Sequence, residues 1–196
     1  MNFLAHLYLA DAANDSLAGH LLGDFVKGAA INAYDRGIQD AIRFHRKIDS
    51  FSDAHRFTRA SRNRIAPQWR RFAGIMVDVC YDHFLALSWH RFSGEPLPVF
   101  VGRVYADLQA HRAFLPDAAE QVLSRMVSYD WLGSYQDLNK VAVALDRIAG
   151  RLTQGERFLG AISDIQVNYK GLQEDFLSFF PELIDFALAF KHNEKG

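Results

Sequence analysis

The chain has 196 residues, 49% of them apolar, with a mean hydropathy of -0.10 and a formal net charge of -1. These values fit one folded domain with a sizeable core and exclude a disordered chain; near-neutrality also argues against a general nucleic-acid binder. One cysteine, Cys80, rules out an internal disulfide and points to an intracellular home.

Helical spacing of apolar residues recurs along the chain, and no convincing run of alternating Val, Ile and Thr interrupts it. A first helix is expected over 3–12. Asp15 is the expected N-cap of a second, SLAGHLLGDFVKG, ending near Gly28. A third runs over 35–53, with Ile38, Ile42, Phe44, Ile48 and Phe51 as its apolar content, and Thr58 caps a short helix reaching Ile65. A long apolar helix covers 68–92, GEPLP (94–98) is a loop, and helices follow over 98–113, 116–129, 134–150 and 156–192. Pro116 suits a first helical turn. No linker divides the chain, so residues 1–196 read as one all-α domain. No apolar run reaches the roughly 20 residues that span a bilayer, and MNFLAHLYLADAAND lacks a basic leader. A cytoplasmic location without membrane contact is the expectation.

The helix FAGIMVDVCYDHFLALSW is built for burial, yet it carries Asp78, Asp82 and His83. A buried unpaired carboxylate is costly, so something must compensate these groups. The same residue types pair four apart elsewhere: His20 with Asp24, His45 with Asp49, and Asp49 with Asp53. Residues at that spacing share a helix face. His6 stands alone in FLAHLYLA. Carboxylates and imidazoles are ligands for Mn²⁺, Fe and Zn²⁺, and carboxylates for Mg²⁺. A divalent ion is one compensator; pairing among these groups or with arginines is the other. His20 is read as a packing residue, His90 and His111 as surface or helix-end residues, and Cys80 as a small core residue.

HExxH, the ExxH of di-iron bundles, GxSxG and P-loop motifs are all absent, and one cysteine excludes a thiolate zinc site. Charge is unevenly placed. Nine Lys/Arg and two Asp fall between Arg43 and Arg71, leaving thirteen basic and twenty-one acidic residues elsewhere. Such a segment is either a solvated face or a dock for an anion, a phosphorylated ligand or an acidic partner.

Four blocks in register, NFLAHLYLA, SLAGHLLGDFVKG, HRKIDSFSD and VDVCYDHFLALSW, resemble the acyl carrier protein phosphodiesterase family over the first ninety positions. The last hundred residues resemble it only in length and helical character. The resemblance implies an HD-domain-like all-α fold and a divalent metal, usually Mn²⁺, with Mg²⁺ or Fe²⁺ as alternatives. It implies hydrolysis of holo-acyl carrier protein to the apo form and 4′-phosphopantetheine. The ordinary HD signature is an adjacent His-Asp; this chain has Asp82-His83, in reversed order. The positions carried over are therefore those in the family's own blocks: His6, Asp24, His45, Asp49, Asp78, Asp82 and His83.

On that reading Asp24, His45, Asp82 and His83 form the preferred ligand set, with Asp49 and Asp78 as further ligands or orienting groups and His6 as ligand or proton donor. His6, Asp24, Asp82 and His83 carry the catalytic roles. Lys27 and Arg46 meet phosphate oxygens, and Arg56, Arg59 and Arg62 dock the acidic carrier protein. The alternatives are an HD-like phosphohydrolase acting on a nucleotide or other small phosphodiester, and a non-catalytic helical protein that holds metal for structure. Oligomeric state is left open.

Overall fold

The computed structural model describes residues 1–150, 158 and 160–194, and among these every regular element is helical. In chain order the α-helices are α1 (Phe3–Ala12), α2 (Leu17–Leu22), α3 (Arg36–Ala54), α4 (Arg56–Arg64) and α5 (Ala73–Leu87), followed by α6 (Leu97–Ala110), α7 (Asp117–Ser128), α8 (Trp131–Ser134), α9 (Leu138–Ala149) and α10 (Ile162–Glu194). Tight 3₁₀ turns occupy Gly28–Ala33, Pro67–Phe72, Trp89–Arg91 and Arg112–Phe114. The all-α expectation holds, while the expected start of the last helix at 156 lies outside the described residues. No helix among those described is long and apolar enough to cross a membrane.

Several boundaries differ from the sequence expectation. Ser16, not Asp15, caps α2, its hydroxyl accepting from the Gly19 N–H. That helix stops at Leu22 instead of running to Gly28, and Gly28 adopts a φ of +56°, which a continuing α-helix forbids. His55, not Thr58, caps α4: its ring nitrogen accepts from the Phe57 N–H, and Thr58 is buried inside the helix. The apolar helix begins as a 3₁₀ turn at Pro67 and becomes α-helical only at Ala73. The expected 134–150 helix is α9, which starts only at Leu138 because Asp137 caps it there, and a separate short helix, α8, capped by Asp130, precedes it.

The core is centred on α5, whose Met76, Val77, Cys80, Tyr81, Phe84 and Leu85 are fully buried. From α10 come Phe176, Phe179, Phe180 and Leu183, also fully buried, each worth about 1.5–3 kcal/mol by apolar transfer. The aromatic C-terminal run is thus core, and α10 continues through Pro181 despite the lost N–H. Across α5 lies α1, which also meets α2 and α3. Two glycines let α2 sit directly on α3. A Cβ on Gly19 would fall 2.4 Å from the Ala41 Cβ, and one on Gly23 would fall 2.3 Å from the His45 ring.

Candidate metal centre

Helices α1, α2 and α3 converge on a group of histidines and aspartates. His6 projects from α1 and His45 from α3, and both are buried. Their imidazoles stack, with centroids 3.8 Å apart and planes 17° apart. Asp49, one turn beyond His45, faces both rings: Oδ1 lies 3.0 Å from His6 Nε2 and Oδ2 lies 3.2 Å from His45 Nε2. Asp24 joins from the turn after α2, 3.5 Å from the same His45 nitrogen. Because α2 ends early, Asp24 does not share a helix face with His20. It reaches the surface, while His20 is buried.

The charges are strongly coupled. Burial works against a protonated His45, but the two carboxylates overcome it and raise the imidazole to about 9. Burial and the neighbouring His45 charge lower His6 to about 3. Partial burial works against an ionised Asp49, yet hydrogen bonds to both histidines hold it far below the ordinary carboxylate range.

Two observations bear on whether these residues suit a divalent ion. Asp24, His45 and Asp49 present ligand atoms within 4.8 Å of one another, and the two carboxylates are open to solvent. The buried Nδ1 atoms of His6 and His45 have no hydrogen-bond partner among the described residues, so both rings retain unused capacity. Mixed carboxylate and imidazole donors on a partly open face fit Mn²⁺, Fe²⁺, Zn²⁺ or Mg²⁺.

His20, read from sequence as packing, belongs to the same neighbourhood. His6, His20 and His45 also place ligand atoms within 4.8 Å of one another. Its Nε2 lies 3.3 Å from Asp15, which in turn lies 3.2 Å from the Lys191 ammonium. The signal available in the sequence was its spacing to Asp24, but that spacing implied a helix that does not extend so far.

Asp82 and His83 are not brought to this cluster. The Asp82 carboxylate accepts from the N–H of Leu4 at 2.8 Å and of Ala5 at 3.1 Å. It caps α1 from a neighbouring helix, since the N-cap residue Asn2 makes no side-chain capping bond. This is the compensation that the buried carboxylate requires. Around the helix, His83 has both ring nitrogens engaged, Nδ1 2.6 Å from the Tyr135 carbonyl and Nε2 2.8 Å from the Tyr169 hydroxyl. Adjacent helical residues point about 100° apart, and here they serve different neighbours. Asp78 lies at the cluster's edge, 3.2 Å from the Met1 amino group, which is itself 3.6 Å from Asp49.

The expected cations are also distributed. Arg46 donates to the Val26 carbonyl at 2.6 Å, tying the segment after Asp24 to α3, and Lys27 is exposed beside it. Arg56 pairs with Glu182 and Arg62 with Asp53, while Arg59 has no ion-pair partner among the described residues.

Over residues 1–183 the chain matches the family described as acyl carrier protein phosphodiesterase. Among curated proteins, it is 32% identical to "Acyl carrier protein phosphodiesterase" of Photorhabdus laumondii, over 95% of each chain. Proteins of the same name from Enterobacter sp. (strain 638) and Salmonella agona are each 34% identical, over 94% of this chain and 96% of theirs. No solved structure matches. With a family match over almost its whole length and relatives that it covers nearly end to end, the chain belongs to the acyl carrier protein phosphodiesterase family.

Proposed function

We propose that this chain hydrolyses holo-acyl carrier protein to the apo form and 4′-phosphopantetheine, using a divalent ion at the Asp24, His45 and Asp49 cluster. The carrying observation is that cluster's convergence of two carboxylates and a buried imidazole, open on one side, in a chain of this family. Mn²⁺ is the preferred ion, and Mg²⁺ or Fe²⁺ have compatible donor chemistry. When bound, such an ion supplies Lewis-acid charge to phosphoryl oxygens and acidifies water.

The residues divide the remaining work. Asp49 fixes the orientation of both stacked imidazoles through their Nε2 atoms. His6 is held neutral by burial, which readies it as a ligand and unsuits it as an acid. Asp24 stands on the solvent side, and Arg46 holds the segment that carries it. Lys27 is free to meet a phosphate oxygen. In the net reaction water adds hydroxyl to phosphorus, and the carrier's serine oxygen leaves with the phosphorus–oxygen bond pair and takes up a proton. Arg59, exposed and unpaired among the described residues, is a contact for the acidic carrier.

Mass spectrometry of holo-carrier protein after incubation with the enzyme and Mn²⁺ tests the reading. Loss of the prosthetic arm with release of intact 4′-phosphopantetheine is expected. An unchanged holo-carrier, with or without metal, would overturn it.

A further inference from the structure

At the start of α1, helices α1, α8 and α9 border an apolar cleft with a free volume of about 200 Å³. Its walls include Phe3, Trp131, Ala144 and Ile148, with Lys140 and Arg147 at its margin. An enclosed apolar space of about 150 Å³ is large enough for a benzene molecule, so this one holds several methylene or methyl groups.

Three features identify an occupant. First, the cleft and the candidate centre are joined through the first residues of the chain. Asn2 and Phe3 line it, and the adjoining Met1 carries the amino group that lies 3.2 Å from Asp78 and 3.6 Å from Asp49. Second, the indole N–H of Trp131 is buried and has no hydrogen-bond partner among the described residues. A buried donor without an acceptor is rare and costly, and a neutral ligand carrying a carbonyl oxygen would satisfy it. Third, apolar groups remain open at the cleft. Tyr129 is 63% exposed, with the Arg147 guanidinium stacked 5.2 Å from its ring, and Val143 is 43% exposed.

A ligand that hangs through a phosphodiester from an acidic protein and carries methyl groups and amide carbonyls matches all three. We infer that this cleft binds the pantetheine arm of the carrier protein. Methyl groups pack on Phe3, Ala144 and Ile148, an amide carbonyl accepts from Trp131, and Lys140 and Arg147 face the carrier's acidic surface. The inference rests on the proposed carrier phosphodiesterase activity, and it adds a specificity-determining site outside the metal cluster.

The test uses the full chain and two variants. Ala144→Trp fills the cleft, and Trp131→Phe keeps the ring while removing the donor. With holo-carrier as substrate, Ala144→Trp is expected to raise KM at least about tenfold with kcat within about twofold, the pattern of lost uniform binding. Inhibition by free 4′-phosphopantetheine should weaken in parallel, while inhibition by inorganic phosphate stays unchanged. Trp131→Phe should shift the same constants in the same direction by less. Both variants are first checked for an unchanged circular dichroism spectrum and melting temperature. If Ala144→Trp does not fold, Trp131→Phe and quenching of wild-type indole fluorescence by pantetheine decide. Wild-type constants in the folded variants, or no pantetheine binding to the wild-type chain, would overturn the cleft. A wild-type enzyme that leaves holo-carrier intact would instead overturn the activity, and the pantetheine titration would still report on the cleft.

Discussion

The imidazoles of His6 and His45 stack at 3.8 Å, and the single carboxylate of Asp49 faces the Nε2 atom of each. Two rings from helices far apart in sequence are therefore oriented by one acid. In Asp49→Asn one acceptor oxygen becomes a donor and the negative charge is lost, so a ring that donated to that oxygen must change tautomer or turn. Mn²⁺ affinity by isothermal titration should fall about 10–100-fold, the usual effect of losing a ligand or its orienting partner. Wild-type affinity would remove Asp49 from the centre.

Gly23 is tested separately from the ligands. A methyl group there would collide with the His45 ring at 2.3 Å. Gly23→Ala should therefore displace the imidazole and lower kcat by about 100-fold, as misplacement near 1 Å does. Circular dichroism should remain helical. Retained kcat would mean that the ring can move without consequence.

Metal binding should carry a proton signature. His45 is raised to about 9 by Asp24 and Asp49 against the burial that lowers it, so it is protonated at pH 7 in the metal-free chain. A ligand nitrogen must lose that proton, so Mn²⁺ affinity should rise with pH by up to about tenfold per unit between pH 6 and 8. Titration in buffers of different ionisation enthalpy should show about one proton released. The same shift stabilises the metal-free fold fully below the ordinary histidine value of 6.5, and that contribution is lost as pH rises through about 9. His45→Gln should lack this decline in thermal stability.

Asp82 gives a pH slope of the same sign, in a lower window. Burial pushes its carboxyl up to about 7, against the hydrogen bonds from Leu4 and Ala5 and the attraction of the Met1 amine. Between the unperturbed 3.8 and about 7 the folded state holds a proton that the unfolded state has released. Its contribution therefore makes stability fall as pH rises through that window. Asp82→Asn should abolish the slope, lower stability by about 1–3 kcal/mol through one unmatched amide of α1, and leave Mn²⁺ binding near wild type. Lost binding in a folded Asp82→Asn would restore Asp82 to the ligand set.

For carrier docking, the structure separates three arginines that the sequence treats alike. Arg56 and Arg62 are tied to Glu182 and Asp53, whereas Arg59 has no ion-pair partner among the described residues. Arg59→Glu should raise KM for the carrier about tenfold at low salt and flatten its ionic-strength dependence. Arg56→Gln should do less. Equal effects would place docking elsewhere on the basic segment.

The sequence by itself determined the helical class, the family and the early blocks that hold the acids and imidazoles. Apolar period and residue type are local properties, and His45 with Asp49 needs only one helix to meet. The structure decided which blocks converge. The end of α2 at Leu22 moved Asp24 off the face of His20, and the approach of Gly23 to His45 closed α2 on α3. The DH pair on α5 looked like part of the centre because its spacing cannot say which helix lies opposite. Packing put the α1 amides against Asp82, and Tyr135 and Tyr169 against His83. A buried charge must find compensation, but whether a metal, a helix terminus or a tyrosine provides it depends on contacts between residues distant in the chain, which no local pattern encodes.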